Sequence, residues 1–165
     1  MFQIEVKCLN DDNICTLAEI ERRAFLPLYE KYKDESCLCK NAEADMVNRL
    51  ADTSAHCFTV FCGGEAVGGV FYKSEGSSLF FESLSKGEYY LNRAFLSPSL
   101  QGKGIISSAI LMCEKYFPDA KRFFVDFPED LEKNRRCYEK AGYSDTGKRY
   151  QVKDGLVLAL YEKRL

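Results

Sequence analysis

Leu96-Ser97-Pro98-Ser99-Leu100-Gln101-Gly102-Lys103-Gly104-Ile105-Ile106 joins a strand-forming run over 89–96 to an almost wholly apolar helical run over about 103–117. Glycines at 102 and 104 remove Cβ atoms where the backbone must turn, and they let another group approach closely. The first amides of the following helix have no internal partner and point outward at the positive end of its dipole. Such a turn is suited to hold an anion, best a phosphate or diphosphate. The bare alternative is a tight strand-to-helix connection that holds nothing. The G-x-x-x-x-G-K-[ST] spacing of a nucleotide loop is absent, and G-x-G-x-x-G fails because position 107 is Ser.

Downstream, residues 122–127 read as a strand. Pro128, Glu129 and Asp130 open a helix that ends at Gly142, a natural left-handed cap. Residues 143–152 and 155–162 form a hairpin through Lys153-Asp154-Gly155. Upstream, Phe2, Ile4, Val6 and Cys8 alternate with polar residues at strand period. Asp11, Asp12 and Asn13 supply cap candidates for a first helix whose apolar face ends near Tyr29. Residues 30–40 read as a loop. Asn41 caps a second helix with Met46, Val47 and Leu50 on one face. A hairpin through Gly63-Gly64 then joins strands 55–62 and 66–73, and Leu79-Phe80-Phe81 begins a short strand. The order β-α-α-β-β-β-α-β-α-β-β gives an α+β (α/β layered) fold around one sheet.

Composition narrows the function classes. The 165 residues fit a single domain, 1–165, and a hydrophobic fraction of 46% with 12 Phe and 10 Tyr can bury a full core. Lys plus Arg number 23 against 25 Asp plus Glu, a net charge of -2, without the basic stripe of a nucleic-acid binder. No apolar run approaches the ~20 residues of a membrane span, and no secretory signal is visible, so a cytoplasmic protein without membrane contact is expected. The eight cysteines include no C-x-x-C pair and read as reduced thiols, several of them small buried hydrophobes. His56 is the only histidine, too little for a zinc site, so no metal is expected.

Gln101-Gly102-Lys103-Gly104, with Pro98 before it, resembles the acyl-CoA-binding motif Q/R-x-x-G-x-G/A of the GNAT superfamily of N-acetyltransferases. Tyr138-Glu139-Lys140-Ala141-Gly142-Tyr143 resembles the same family's Y-E-K-x-G-F signature, about 35 residues on, and the element order matches throughout the chain. Two places depart: Ile106 stands where Gly or Ala is usual, and Leu131 stands where many members carry Asn, with Asn134 one turn before Tyr138 instead.

The resemblance implies a mixed, mostly antiparallel sheet with a splayed strand pair and helices on both faces. It implies acetyl-CoA as co-substrate, backbone contacts to it from Ala94, Phe95 and Leu96, and a diphosphate held by Gln101, Gly102, Lys103, Gly104, Ile105 and Ile106. Asn134 and Tyr138 would complete the cofactor contacts. A primary amine, on a small molecule or on a peptide or protein, would attack the thioester directly. Tyr138 would act as general acid to the leaving thiolate, and Asp126, ahead of Glu88 and Glu82, as general base. The acceptor pocket is expected from the first two helices and the last hairpin, where Glu30, Asp34, Glu35, Glu43 and Asp45 give mild acidity. A homodimer is left open. The competing readings are a GNAT-fold regulatory module that binds coenzyme A without turnover, and a nucleotide-phosphate binder that uses the same loop.

Overall fold

The computed structural model describes residues 2–165. Its elements in chain order are β1 (Ile4–Cys8), α1 (Asp11–Tyr32), α2 (Ala42–Ala51), β2 (Ala55–Cys62), β3 (Glu65–Lys73), β4 (Glu88–Leu96), α3 (Ile105–Glu114), β5 (Arg122–Pro128), α4 (Glu132–Lys140), β6 (Ser144–Lys153) and β7 (Leu156–Arg164). One sheet runs in the order β1-β2-β3-β4-β5-β7-β6. Every neighbouring pair is antiparallel except β4 and β5, which α3 connects as a parallel crossover. Two apolar cores follow from strand alternation. Ile105, Ala109 and Ile110 of α3 and Tyr138 of α4 pack on one face, while Leu17 and Ile20 of α1 and Met46 of α2 pack on the other.

The parallel pair is short. Its register covers only Glu88↔Arg122 to Leu91↔Val125, although both strands continue beyond it. Three features set where they part. A bulge in β4 places Tyr72 opposite Leu91 and Phe71 opposite Arg93, leaving Asn92 as the extra residue. With its amide oriented to satisfy both groups, Asn92 donates to the Phe71 carbonyl at 3.0 Å and accepts from Arg49 at 3.2 Å. At the closed end, Arg122 bonds both Glu88 and Glu162, tying β4, β5 and β7 together. Beyond Leu91, β4 stays fixed to β3 because Gly68 has no side chain. A Cβ there would lie 2.3 Å from the Phe95 carbonyl oxygen.

Several local expectations need correction. Asn10, rather than residues 11–13, caps α1, accepting from the Asp12 amide at 2.9 Å. That helix runs past Tyr29, through Pro27, until Lys33 turns left-handed at φ 55 and its amide bonds the Tyr29 carbonyl. Within 30–40, Glu35–Leu38 forms a 3-10 turn capped by Asp34. On α2 the buried side is Ala42 and Met46; Val47 is 53% exposed and Leu50 41%, because α1 reaches only one stripe of so short a helix. Leu79-Phe80-Phe81 forms no strand. Phe81 instead covers the sheet, 5.4 Å from the rings of both Tyr90 and Phe124. Pro128 ends β5, and the Glu129 amide still bonds the Val157 carbonyl of β7, so α4 cannot start before Glu132.

Candidate active site

Past the Leu91↔Val125 pair, β4 and β5 no longer pair with each other. The Ser97 amide donates to the Val67 carbonyl at 2.8 Å, on the β3 side. Backbone direction alternates along a strand, so Phe95 also faces β3, while Ala94 and Leu96 turn their N–H and C=O toward the opening. The Gln101 side chain closes the next turn by donating to the Leu96 carbonyl at 3.0 Å.

The glycine loop follows directly. Gly102 and Gly104 hold φ of 77° and 78°, left-handed values that a side chain disfavours. Among the described residues, no amide from Gly102 to Ser107 donates to any carbonyl, and the first intrahelical bond of α3 is from the Ser108 amide to the Gly104 carbonyl. This is a row of free N–H donors at a helix start, with electrostatics that favour an anion. The Ile106 side chain packs against the core beside α3, so it does not fill the loop. Lys103 donates to the Ser99 carbonyl, and its ammonium lies over the Phe2 ring.

Sequence reading did not single out Lys140. Its Nζ stands 2.8 Å from the position that a Cβ on Gly104 would take. The ion pairs of α4 use Glu132, Arg135, Arg136 and Glu139, and Lys140 has none among the described residues. A free cation therefore faces the positive end of α3, an arrangement that is unfavourable until an anion lies between them. The signal was available as the third letter of Tyr138-Glu139-Lys140, but only the packing of α4 on α3 shows where it points.

α4 brings Tyr138 to the same opening. Gly142, at φ 99, lets the Tyr143 amide reach the Tyr138 carbonyl and the Gly142 amide reach that of Glu139, which fixes the last turn. The Tyr138 ring packs on Phe127 at 5.1 Å, and burial raises its phenol well above the ordinary tyrosine range. It is therefore protonated at neutral pH, the state a proton donor needs. Asn134 lies half-buried one turn earlier on the same face.

On the opposite face Asp126 sits just past the last β4–β5 pair and accepts from the Tyr90 hydroxyl at 2.6 Å. Desolvation raises its pKa, with the Tyr90 bond opposing, so this carboxylate is a stronger base than a surface one. Glu88 is differently placed. Despite burial, the Ser85 amide and Arg122 hold its pKa down, at the closed end of the pair. Glu82 is exposed in the 74–87 segment. His56 packs edge-on against Phe117, beyond the other end of α3 from the loop, and burial lowers its pKa.

Where the acceptor pocket is expected, Arg93 pairs with buried Glu21, reaches Cys39 at 3.1 Å and lies over the Phe25 ring. The end of α1 is tied across the opening: Tyr32 and Lys31 both bond Asp130, and Lys153 bonds the Lys33 carbonyl. The acidity expected there is mostly spent locally, Glu35 on Lys40, Glu43 on Arg22 and Asp34 on its cap. Among the described residues no group of His, Cys, Asp and Glu could hold a metal ion, and no helix is long and apolar enough to cross a membrane.

The family model "Acetyltransferase (GNAT) family" matches residues 14–143. The structure resembles the PaiA N-acetyltransferase of Thermoplasma acidophilum in complex with coenzyme A, with a TM-score of 0.76 at 17% identity over 99% of each chain. It resembles aminoglycoside acetyltransferase AAC(6')-Ib in complex with coenzyme A, with a TM-score of 0.76 at 15% identity over 98% of this chain and 95% of that one. A chimera of spermidine N-acetyltransferase SpeG from Vibrio cholerae and hSSAT gives 0.73 at 12% identity over 98% and 95%. No curated protein sequence matches the chain.

Proposed function

The chain belongs to the acetyltransferase (GNAT) family, and we propose that it transfers an acetyl group from acetyl-CoA to a primary amine by direct attack in a ternary complex. One observation carries the reading: the row of unpartnered amides from Gly102 to Ser107 opens beside the β4–β5 splay, with Tyr138 on one face of that opening and Asp126 on the other.

The loop fits the diphosphate of coenzyme A, because it offers donors without acceptors and has no Cβ at Gly102 or Gly104 to fill the cradle. Gln101 to Ile106 would hold that diphosphate, with Lys140 adding a cation. Backbone groups of Ala94 and Leu96 would hold the pantetheine arm and polarise the thioester carbonyl. Phe95, whose side chain is buried against Phe71 and Phe25, fixes the strand that presents them. Asn134 lies on the Tyr138 face of α4 to contact the same arm. When bound, the co-substrate supplies an activated acetyl group.

Asp126 takes a proton from the acceptor nitrogen, and Tyr138 gives one to the departing thiolate. Much of the rate comes from holding amine and thioester together. Neighbours of the same fold include aminoglycoside and spermidine acetyltransferases, which supports a small-molecule amine as acceptor over a protein.

Thiol release from acetyl-CoA across a panel of primary amines tests the proposal. Amine-dependent release is expected, and Tyr138→Phe should lower it about 100-fold while coenzyme A affinity stays within twofold. Calorimetric binding of coenzyme A with no amine-dependent release would favour the regulatory module instead.

A further inference from the structure

We propose that Tyr90 is the positioning residue for the general base: it holds Asp126 by one carboxylate oxygen, Oδ2, and leaves Oδ1 to face the acceptor amine. This assignment rests on the acetyltransferase reading above and on Asp126 as its base.

The placement is set by the strands. Tyr90 is opposite Phe124 in the parallel register, one pair before β4 and β5 part. Asp126, two residues beyond Phe124, shares the face on which Tyr90 projects. The Phe81 ring lies 5.4 Å from those of both Tyr90 and Phe124, so the phenol is held from behind by the 74–87 segment. At 2.6 Å the hydroxyl donates to Oδ2, and no cation is paired with the carboxylate among the described residues. A half-buried carboxylate with one neutral donor and no ion pair is costly for the fold alone. It suits a group that must accept a proton.

The titratable groups around Asp126 are few. Tyr90 and Arg93 come from β4 and Tyr138 from α4, while the β7 residue opposite is Leu160. Arg93 is already engaged by Glu21 and Cys39. In the step itself, an acceptor N–H bond breaks and an O–H bond forms on Asp126 Oδ1. The Tyr90 phenol keeps its proton throughout. Its hydrogen bond stabilises the carboxylate, so losing it raises the affinity of Asp126 for a proton.

Tyr90→Phe keeps the ring and removes the hydroxyl. Its kcat/KM profile should have the acid limb moved up by about one pH unit, so the ratio to wild type falls about 10-fold at low pH and returns to within twofold at high pH. The acceptor's own ionisation is common to both enzymes and cancels in that ratio. A uniform loss at every pH would mean that Tyr90 only packs, and would overturn the proposal.

A second readout needs no turnover. NMR titration of the Asp126 carboxyl carbon, in protein labelled at aspartate, should show the same upward move in Tyr90→Phe; Tyr90→Leu serves if the phenylalanine variant does not fold. An unmoved titration overturns the role of Tyr90 alone if Asp126→Asn abolishes turnover. Full turnover in Asp126→Asn overturns the base assignment, and the proposal with it.

Discussion

On one side of the β4–β5 opening, the groups that would face the proposed co-substrate belong to the backbone: the amides of Gly102 to Ser107 and the strand edge at Ala94 and Leu96. On the other side they are side chains, Asp126, Tyr90, Arg93 and Glu21, drawn from β5, β4 and α1 and covered by Phe81 and the end of α1. A backbone site needs only the right turn, so few residue identities are fixed and those few are glycines. A side-chain site needs several distant segments to meet, so almost every identity matters. The first kind should lose affinity when damaged, and the second should lose turnover.

The largest test falls on the side-chain half. Asp126→Asn keeps the shape and an oxygen for the Tyr90 bond, but the amide cannot accept the acceptor's proton. Turnover should fall about 100- to 10,000-fold, the usual worth of a general base, with coenzyme A affinity within twofold of wild type. Steady-state thiol release and calorimetry check the two halves separately. A loss of affinity equal to the loss of turnover would break the division between them.

Gly104→Val tests the backbone half. A β-branched residue at φ 78 is strained, and its Cβ would displace the Lys140 ammonium from 2.8 Å. The loop must then relax away from the geometry that points its amides outward. Coenzyme A should bind about 10- to 100-fold more weakly by calorimetry, and at saturating acetyl-CoA the turnover number should change far less. Unaltered affinity would mean that the loop is only a turn.

The same division explains what could be read in the residues themselves. Gln101-Gly102-Lys103-Gly104 and Tyr138 to Tyr143 carry their meaning in local spacing, and strand alternation with the turns at Gly63-Gly64 and Gly155 gave all seven strands. Local patterns failed where a distant partner overrides them. Val47 and Leu50 look like a core face until α1 is seen to reach only Ala42 and Met46. Phe80 and Phe81 look like a strand, but aromatic contacts with Tyr150, Tyr90 and Phe124 hold them as a cover. Pro128 looks like a helix start, yet the bond from the Glu129 amide to Val157 holds the chain in the sheet. The role proposed for Tyr90 was invisible because it lies in a bond to Asp126, 36 positions away.

The smallest expected effect belongs to Lys140, a side chain that joins the backbone half at the glycine loop. In the free protein its ammonium faces the positive end of α3 and has no carboxylate partner among the described residues. Like meets like there, so removing the charge should leave the unliganded protein as stable or slightly more so, with a melting temperature raised by about 1–3 °C at most. Binding should move the other way. Without the cation, the diphosphate loses one charge-assisted partner on an exposed rim, and coenzyme A affinity should fall about fivefold in Lys140→Ala. The loss should shrink as salt is raised, since screening weakens an exposed charge more than it weakens short-range amide hydrogen bonds. Opposite signs for stability and affinity are the informative result, because a lysine that merely packs α4 on α3 would lower both. Melting curves with and without coenzyme A, at low and high salt, separate the two.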